Sequence, residues 1–192
     1  RLAEITLDTY KEKHGEYPRK VSYTFWAGEF INSEGATVAQ ALWMLGVEPV
    51  RDNQGRIVDL KLIPSQELGR PRINVLIQVS GQLRDIAGSR LKLITNAVRL
   101  ASAATKEQYP NYVSSGTILQ EKIMIDKGMP PVRAREMSTM RVFGPLNSGY
   151  STGMIAYTDN SGSWDDQNEL VNGYLNNMGA IYGDDDNWGT FH

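Results

Sequence analysis

The chain has 192 residues, 41% of them hydrophobic and 22% charged, with a formal net charge of -2, no cysteine and two histidines. That is ordinary for a globular chain with a sizeable core. It excludes disulfides, thiolate metal sites and cysteine nucleophiles, and it offers no basic field to nucleic acid. No apolar run approaches the roughly 18 residues of a membrane span.

Leu2, Ile5 and Tyr10 give a loose helical stripe closed by the breaker Tyr17-Pro18, so 1–17 is expected to be a helix continuing from a preceding domain. Val21–Trp26, β-branched and aromatic, reads as a strand. The polar stretch 27–36 is expected to be loop. Thr37 with Gln40 forms a capping-box pattern that opens a short helix, with Val38, Leu42 and Leu45 on one face and Gly46 as its stop. Residues 47–50 and 56–63, joined through Asp52-Asn53-Gln54-Gly55, read as a strand pair beside the main sheet. Ile73–Val79 is the strongest strand. Ile73, Val75, Ile77 and Val79 share one face, and Leu76 on the other predicts cover on both sides, as in a parallel sheet. Leu91, Ile94, Val98 and Ala101 form the stripe of a long helix, broken by Gln108-Tyr109-Pro110. Residues 115–127 and 132–139 read as helices, 140–143 as a short strand, and 144–166 as mostly loop. A last helix spans 167–178, around Leu170, Tyr174 and Leu175. Strands alternating with helices make this one α/β domain, a layered and mostly parallel β-sheet flanked by helices.

Polar groups gather around the strongest strand. Glu67-Leu68-Gly69-Arg70-Pro71-Arg72 leads into it, and Ser80-Gly81 with Arg84-Asp85 leaves it, where open α/β sheets place ligands. Arg70, Arg72 and Arg84 have the forked geometry that grips carboxylates. The competing structural reading makes Arg84–Asp85 and Arg70–Glu67 ion pairs that brace loops. Trp26, at a strand end, and Trp164, in a loop, are pocket-wall candidates, whereas Trp43 lies in an apolar helix and reads as core. Gly149-Tyr150-Ser151-Thr152-Gly153 spells a hydrolase G-x-S-x-G, but no strand precedes it and no helix follows, and the histidines, His14 and His192, lie near the chain ends. The carboxylates of Asp159, Asp165, Asp166, Glu169 and 184–186 do not match an EF-hand loop and read as solvated charges, so no metal ligands are assigned. There is no G-x-x-x-x-G-K-[ST] and no G-x-G-x-x-G, so any nucleotide is expected to bind elsewhere.

Four stretches together resemble the large, porphyrin-binding subunit of the cobaltochelatase and magnesium chelatase family. They are Trp26-Ala27-Gly28-Glu29 continuing through Gly35 and Ala39-Gln40 to Leu45-Gly46-Val47-Glu48-Pro49-Val50; Glu67 to Val75 with Ser80-Gly81 and Arg84-Asp85; Arg141-Val142-Phe143-Gly144 with Gly149-Tyr150 and Gly153; and Ser163-Trp164, Tyr174 and Tyr182-Gly183. The resemblance runs from about Tyr17 onward. It implies that residues 1–192 are an internal segment of a much longer subunit, which binds a tetrapyrrole and, with separate ATPase subunits holding ATP, inserts a divalent metal such as cobalt or magnesium. A tetrapyrrole needs apolar walls and a cationic rim. The tetrapyrrole-binding candidates are therefore Trp26, Glu29, Arg70, Arg72, Ser80, Arg84, Asp85, Tyr150 and Trp164. The family's His-Gly-x-Leu-Glu stretch is absent, which places catalytic residues elsewhere and leaves the segment alone inactive. The chain also departs from the family in having Ala36 and Asn74 where acids are usual. The alternatives are a cobaltochelatase-like haem-uptake component that removes iron from haem, and a docking scaffold for the ATPase subunits. The implied location is cytoplasmic, or membrane-associated in a haem-uptake system.

Overall fold

The computed structural model describes residues 2–147, 152–155, 159, 164 and 166–191. The elements in order are α1 (Leu2–His14), β1 (Lys20–Phe25), α2 (Ala27–Asn32), α3 (Ala36–Leu45), β2 (Val47–Arg51), β3 (Ile57–Leu62), α4 (Ser65–Leu68), β4 (Asn74–Val79), α5 (Gly81–Ser102), α6 (Tyr112–Asp126), α7 (Pro131–Met137), β5 (Val142–Gly144), α8 (Gln167–Met178) and β6 (Ala180–Tyr182).

The apolar run of β4 puts it inside the sheet, whose order is β1-β4-β5-β6. β4 pairs in parallel with β1, Lys20 against Asn74 through Phe25 against Val79, and with β5 at Ile77 and Gln78. β6 closes the other end antiparallel to β5. The strand pair β2–β3 forms a separate antiparallel hairpin. Ile73, Val75, Ile77 and Val79 are fully buried and pack with Leu42 and Leu45 of α3 and Leu91, Ile94 and Val98 of α5 in one core. Gly46 ends α3 in the left-handed region (φ 69°), and a Cβ there would run into the Arg72 guanidinium and Leu68.

Several expectations change. Helix α1 buries Ala3 and Leu7, while Leu2 and Ile5 face solvent at 65% and 60% exposure. The small Ala3 permits close packing on α3, and Glu4 there accepts a hydrogen bond from the Trp43 indole. The expected loop 27–36 contains α2, because burial of Ala27 and packing of Phe30 on the core outweigh its polar composition. No capping box forms: Gly35, left-handed at φ 79°, is the N-cap of α3, and the Thr37 hydroxyl donates instead to Glu29. Helix α6 starts at Tyr112, where the Asn111 side chain accepts from the backbone of Val113 and Ser114. Strand β6, three buried residues long, had no periodicity to announce it. The second face of the sheet carries helices, but Leu76 and Gln78 on it stay half-buried while Ser22 and Thr24 are exposed.

Candidate functional site

The C-terminal ends of β1 and β4 open on a cavity of about 120 Å³ lined by Thr24, Trp26, Gln78, Ser80, Pro145 and Tyr174, among others. Trp26 is there because it ends β1 and caps α2. Ser80 is there because it ends β4 and caps α5, its hydroxyl accepting from the Leu83 amide at 3.2 Å. Glu29 stands exposed on α2, held by Thr37. Burial holds the Tyr174 hydroxyl above its usual pKa, partly offset by a hydrogen bond with Gln78.

Arg84 lies close by but is fully engaged. Its Nε donates to Asp85 at 2.8 Å, and one terminal nitrogen donates to the carbonyls of Pro145 (2.9 Å) and Leu146 (2.8 Å) and to the Tyr182 oxygen (3.1 Å). The Asp85 bond raises its pKa against the opposing effect of burial. Arg84 thus clamps the chain that leaves β5. Among the described residues, Trp164 has a buried indole N–H without a hydrogen-bond partner. Tyr150 and Ser151 lie outside the described residues.

Arg70 and Arg72 sit at the other end of β4, with Arg72 roughly 25 Å from Ser80 at about 3.3 Å per residue. They are only 2% and 1% exposed. Arg70 donates to Glu4 (3.2 Å), Trp43 O (2.7 Å) and Pro71 O (3.0 Å). Arg72 donates to Glu107 (3.0 Å), Gly46 O (2.6 Å) and Ile63 O (2.8 Å). Burial lowers the Arg70 pKa, and Glu4 opposes the change. Both arginines tie α1, α3 and β3 to the base of the sheet, and neither reaches the strand-end cavity. Three of the acidic residues of the C-terminal segment have internal partners: Asp184 pairs with Arg99, Asp185 with Lys92, and Asp166 caps α8.

Sequence reasoning missed the larger feature. Asn74, Leu76 and Gln78 point away from the α3–α5 core, because side chains alternate along a strand. On that face, between the sheet and α6–α7, runs a groove of about 590 Å³. Its walls include Leu76, Leu119, Met124, Met140 and Phe143, and its polar groups include Arg19, Lys20, Asn74 and Arg141. None of its described lining residues is acidic. Since Asn74 and Leu76 line the groove while Gln78 and Ser80 line the strand-end cavity, the two lie along one face of β4. The groove can take an apolar plate with negative substituents.

A family model described as CobN/Magnesium Chelatase matches residues 1–191. The magnesium-chelatase subunit ChlH of Oryza sativa is 32% identical over 91% of this chain and 12% of its own length. The aerobic cobaltochelatase subunit CobN of Pseudomonas aeruginosa is 28% identical over 94% of this chain and 14% of its own. The catalytic subunit of cobaltochelatase from Mycobacterium tuberculosis superposes with a TM-score of 0.82 and 31% identity, over 94% of this chain and 15% of that one. The chain therefore spans about an eighth to a seventh of the length of these proteins.

Proposed function

The chain belongs to the CobN/magnesium chelatase family, and from that premise we propose that it is the part of a chelatase large subunit that forms one wall of a tetrapyrrole cleft. The subunit holds the macrocycle while separate ATPase subunits drive insertion of a divalent metal, cobalt or magnesium, in the cytoplasm. The observation that carries this reading is the match to the family model over residues 1–191, joined to an apolar groove with a cationic and no acidic lining. Trp26 and Ser80 stand at one end of the cleft, Arg19, Lys20 and Arg141 at the other, and Leu76 and Phe143 face the flat body of the macrocycle. Arg70, Arg72 and Arg84 support this wall by holding the sheet and its loops. The names of the relatives favour metal insertion over iron removal from haem. Among the described residues, no helix is long and apolar enough to cross a membrane.

The test is metal insertion by the full-length subunit with its ATPase partners, followed by absorbance of the metallated macrocycle. ATP-dependent insertion supports the reading. Porphyrin binding with ATP-independent iron release from haem would replace it by the reverse reaction, and failure to bind any tetrapyrrole would reject it.

A further inference from the structure

We infer that Arg141 is a carboxylate-binding residue at the wall of the sheet-face groove, and that Asn74 is the neutral partner that leaves its charge available to ligand. The inference rests on the tetrapyrrole reading and names the contact for one acidic arm of the macrocycle. Four arginines of the described chain are buried: Arg70, Arg72, Arg84 and Arg141. The first three each pair with a carboxylate, respectively Glu4, Glu107 and Asp85. Arg141, 5% exposed, pairs with none among the described residues; its hydrogen-bond acceptors are all neutral.

Its Nε donates to Asn74 Oδ1 at 2.9 Å, one terminal nitrogen to Ser138 O (2.6 Å) and Met140 O (2.8 Å), and the other to Thr117 Oγ1 at 3.2 Å. A guanidinium has five N–H donors, so these four bonds leave one on the second terminal nitrogen. Burial alone pushes the Arg141 pKa down to about 10, so the group keeps its charge at neutral pH. A buried charge without a counter-ion is strongly unfavourable unless something completes it. Here the unmatched charge stands on a cavity with two more cations, Arg19 and Lys20, and no acid in its described lining. Gly116 of α6 makes room for the pair: a Cβ there would collide with the Asn74 amide, so the missing side chain lets Asn74 sit against Arg141. The apolar remainder of the groove requires the carboxylate to hang from a large apolar body.

The experiment is a fluorescence titration of the full-length subunit with a porphyrin bearing two propionates and with its dimethyl ester, on the wild type and on Asn74→Asp. The substitution is close to isosteric and supplies an internal counter-ion without removing Arg141. The expected result is wild-type binding of the diacid about ten- to a hundredfold tighter than the ester, a loss of similar size for the diacid in Asn74→Asp, and no change for the ester. The comparison of the two ligands on the wild type needs no variant to fold. Equal affinity for both overturns the inference, as does an Asn74→Asp loss shared equally by both, which would be structural. Discrimination that survives Asn74→Asp assigns the contact to Arg19 or Lys20 and also overturns it. An unchanged diacid affinity with a raised melting temperature shows that protein, not ligand, meets the charge. Binding of neither porphyrin rejects the tetrapyrrole reading itself, a result distinct from binding without discrimination.

Discussion

Arg84 shows how far a local reading of charge reaches. The adjacent Asp85 made the ion pair legible, and it forms at 2.8 Å. The rest of its role is not local, since Pro145 and Leu146 lie 61 and 62 positions away. Arg84→Gln leaves these carbonyls without their charged donor and should destabilise the chain by about 2–4 kcal/mol. Urea unfolding of the 192-residue chain measures it, and an unchanged midpoint would deny the clamp. Arg70 finds Glu4 rather than the neighbouring Glu67 for the same reason: partners 66 residues apart meet only once α1 and α3 have packed. Arg141 carries part of the resemblance and lies in the expected strand 140–143, but its binding role was not legible, because its partners Asn74 and Thr117 come from distant elements. The visible clue was Asn74, a neutral side chain where the resemblance leads one to expect an acid, and its partner is Arg141.

Asp184 carries a pH dependence. Burial pushes its carboxyl up, but hydrogen bonds from Asn187 and Arg99, with the Arg99 charge, outweigh that and hold it below the ordinary 3.8. A carboxyl whose pKa is depressed by folding adds stability above its unfolded pKa and loses it as pH falls through the folded one. Asp184→Asn should therefore be less stable than the wild type by about 1–2 kcal/mol at neutral pH. The gap should hold above the ordinary carboxylate range and close as pH falls through the lowered pKa of Asp184. Urea unfolding at stepped pH reads both curves, and a gap that does not narrow as pH falls below the ordinary carboxylate range would assign the loss to packing.

Among the elements, β4 was the most legible because alternation and composition agreed. Its partners on both edges, β1 and β5, follow from an interior position. Val75 is fully buried in it, and Val75→Asp places a carboxylate there with no counter-ion. That should cost more than about 4 kcal/mol and unfold the chain, seen as loss of the cooperative thermal transition. A retained transition would remove β4 from the core. α5 was equally plain through Leu91, Ile94, Val98 and Ala101, all buried. The elements that escaped are short and depend on tertiary contacts: α2 exists because Phe30 finds the core, and β6 because β5 offers it an edge. The capping pattern at Thr37 and Gln40 was locally valid but lost to Gly35, whose left-handed backbone turns the chain two residues earlier. Half of the candidate site was legible in this way. The polar cluster at the end of β4 follows from one strand and one helix, whereas the groove needs α6, α7 and three further strands, β1, β5 and β6, assembled around the open sheet face.

For the molecule as a whole, the open face is the feature that matters. The α3–α5 side of the sheet is closed by a continuous core, while the other side leaves Leu76 half-buried above a groove of about 590 Å³. A groove of this kind covers one face of a flat macrocycle, and these relatives are about seven to eight times longer than this chain. If the remaining length of the subunit closes over the second face, the isolated chain leaves on the order of 100 Å² of apolar ligand surface in water. At about 25 cal/mol per Å² that forfeits about 2.5 kcal/mol, or close to two decades of affinity. The isolated 192-residue chain should therefore bind a propionate-bearing porphyrin about a hundredfold more weakly than the full-length subunit, and insert no metal. Both should keep the preference for the diacid over the ester, because Arg141 belongs to this segment. Parallel fluorescence titrations decide it. Equal affinities would mean that this segment holds the whole site, and a preference found only in the full-length subunit would move the acidic-arm contact outside residues 1–192.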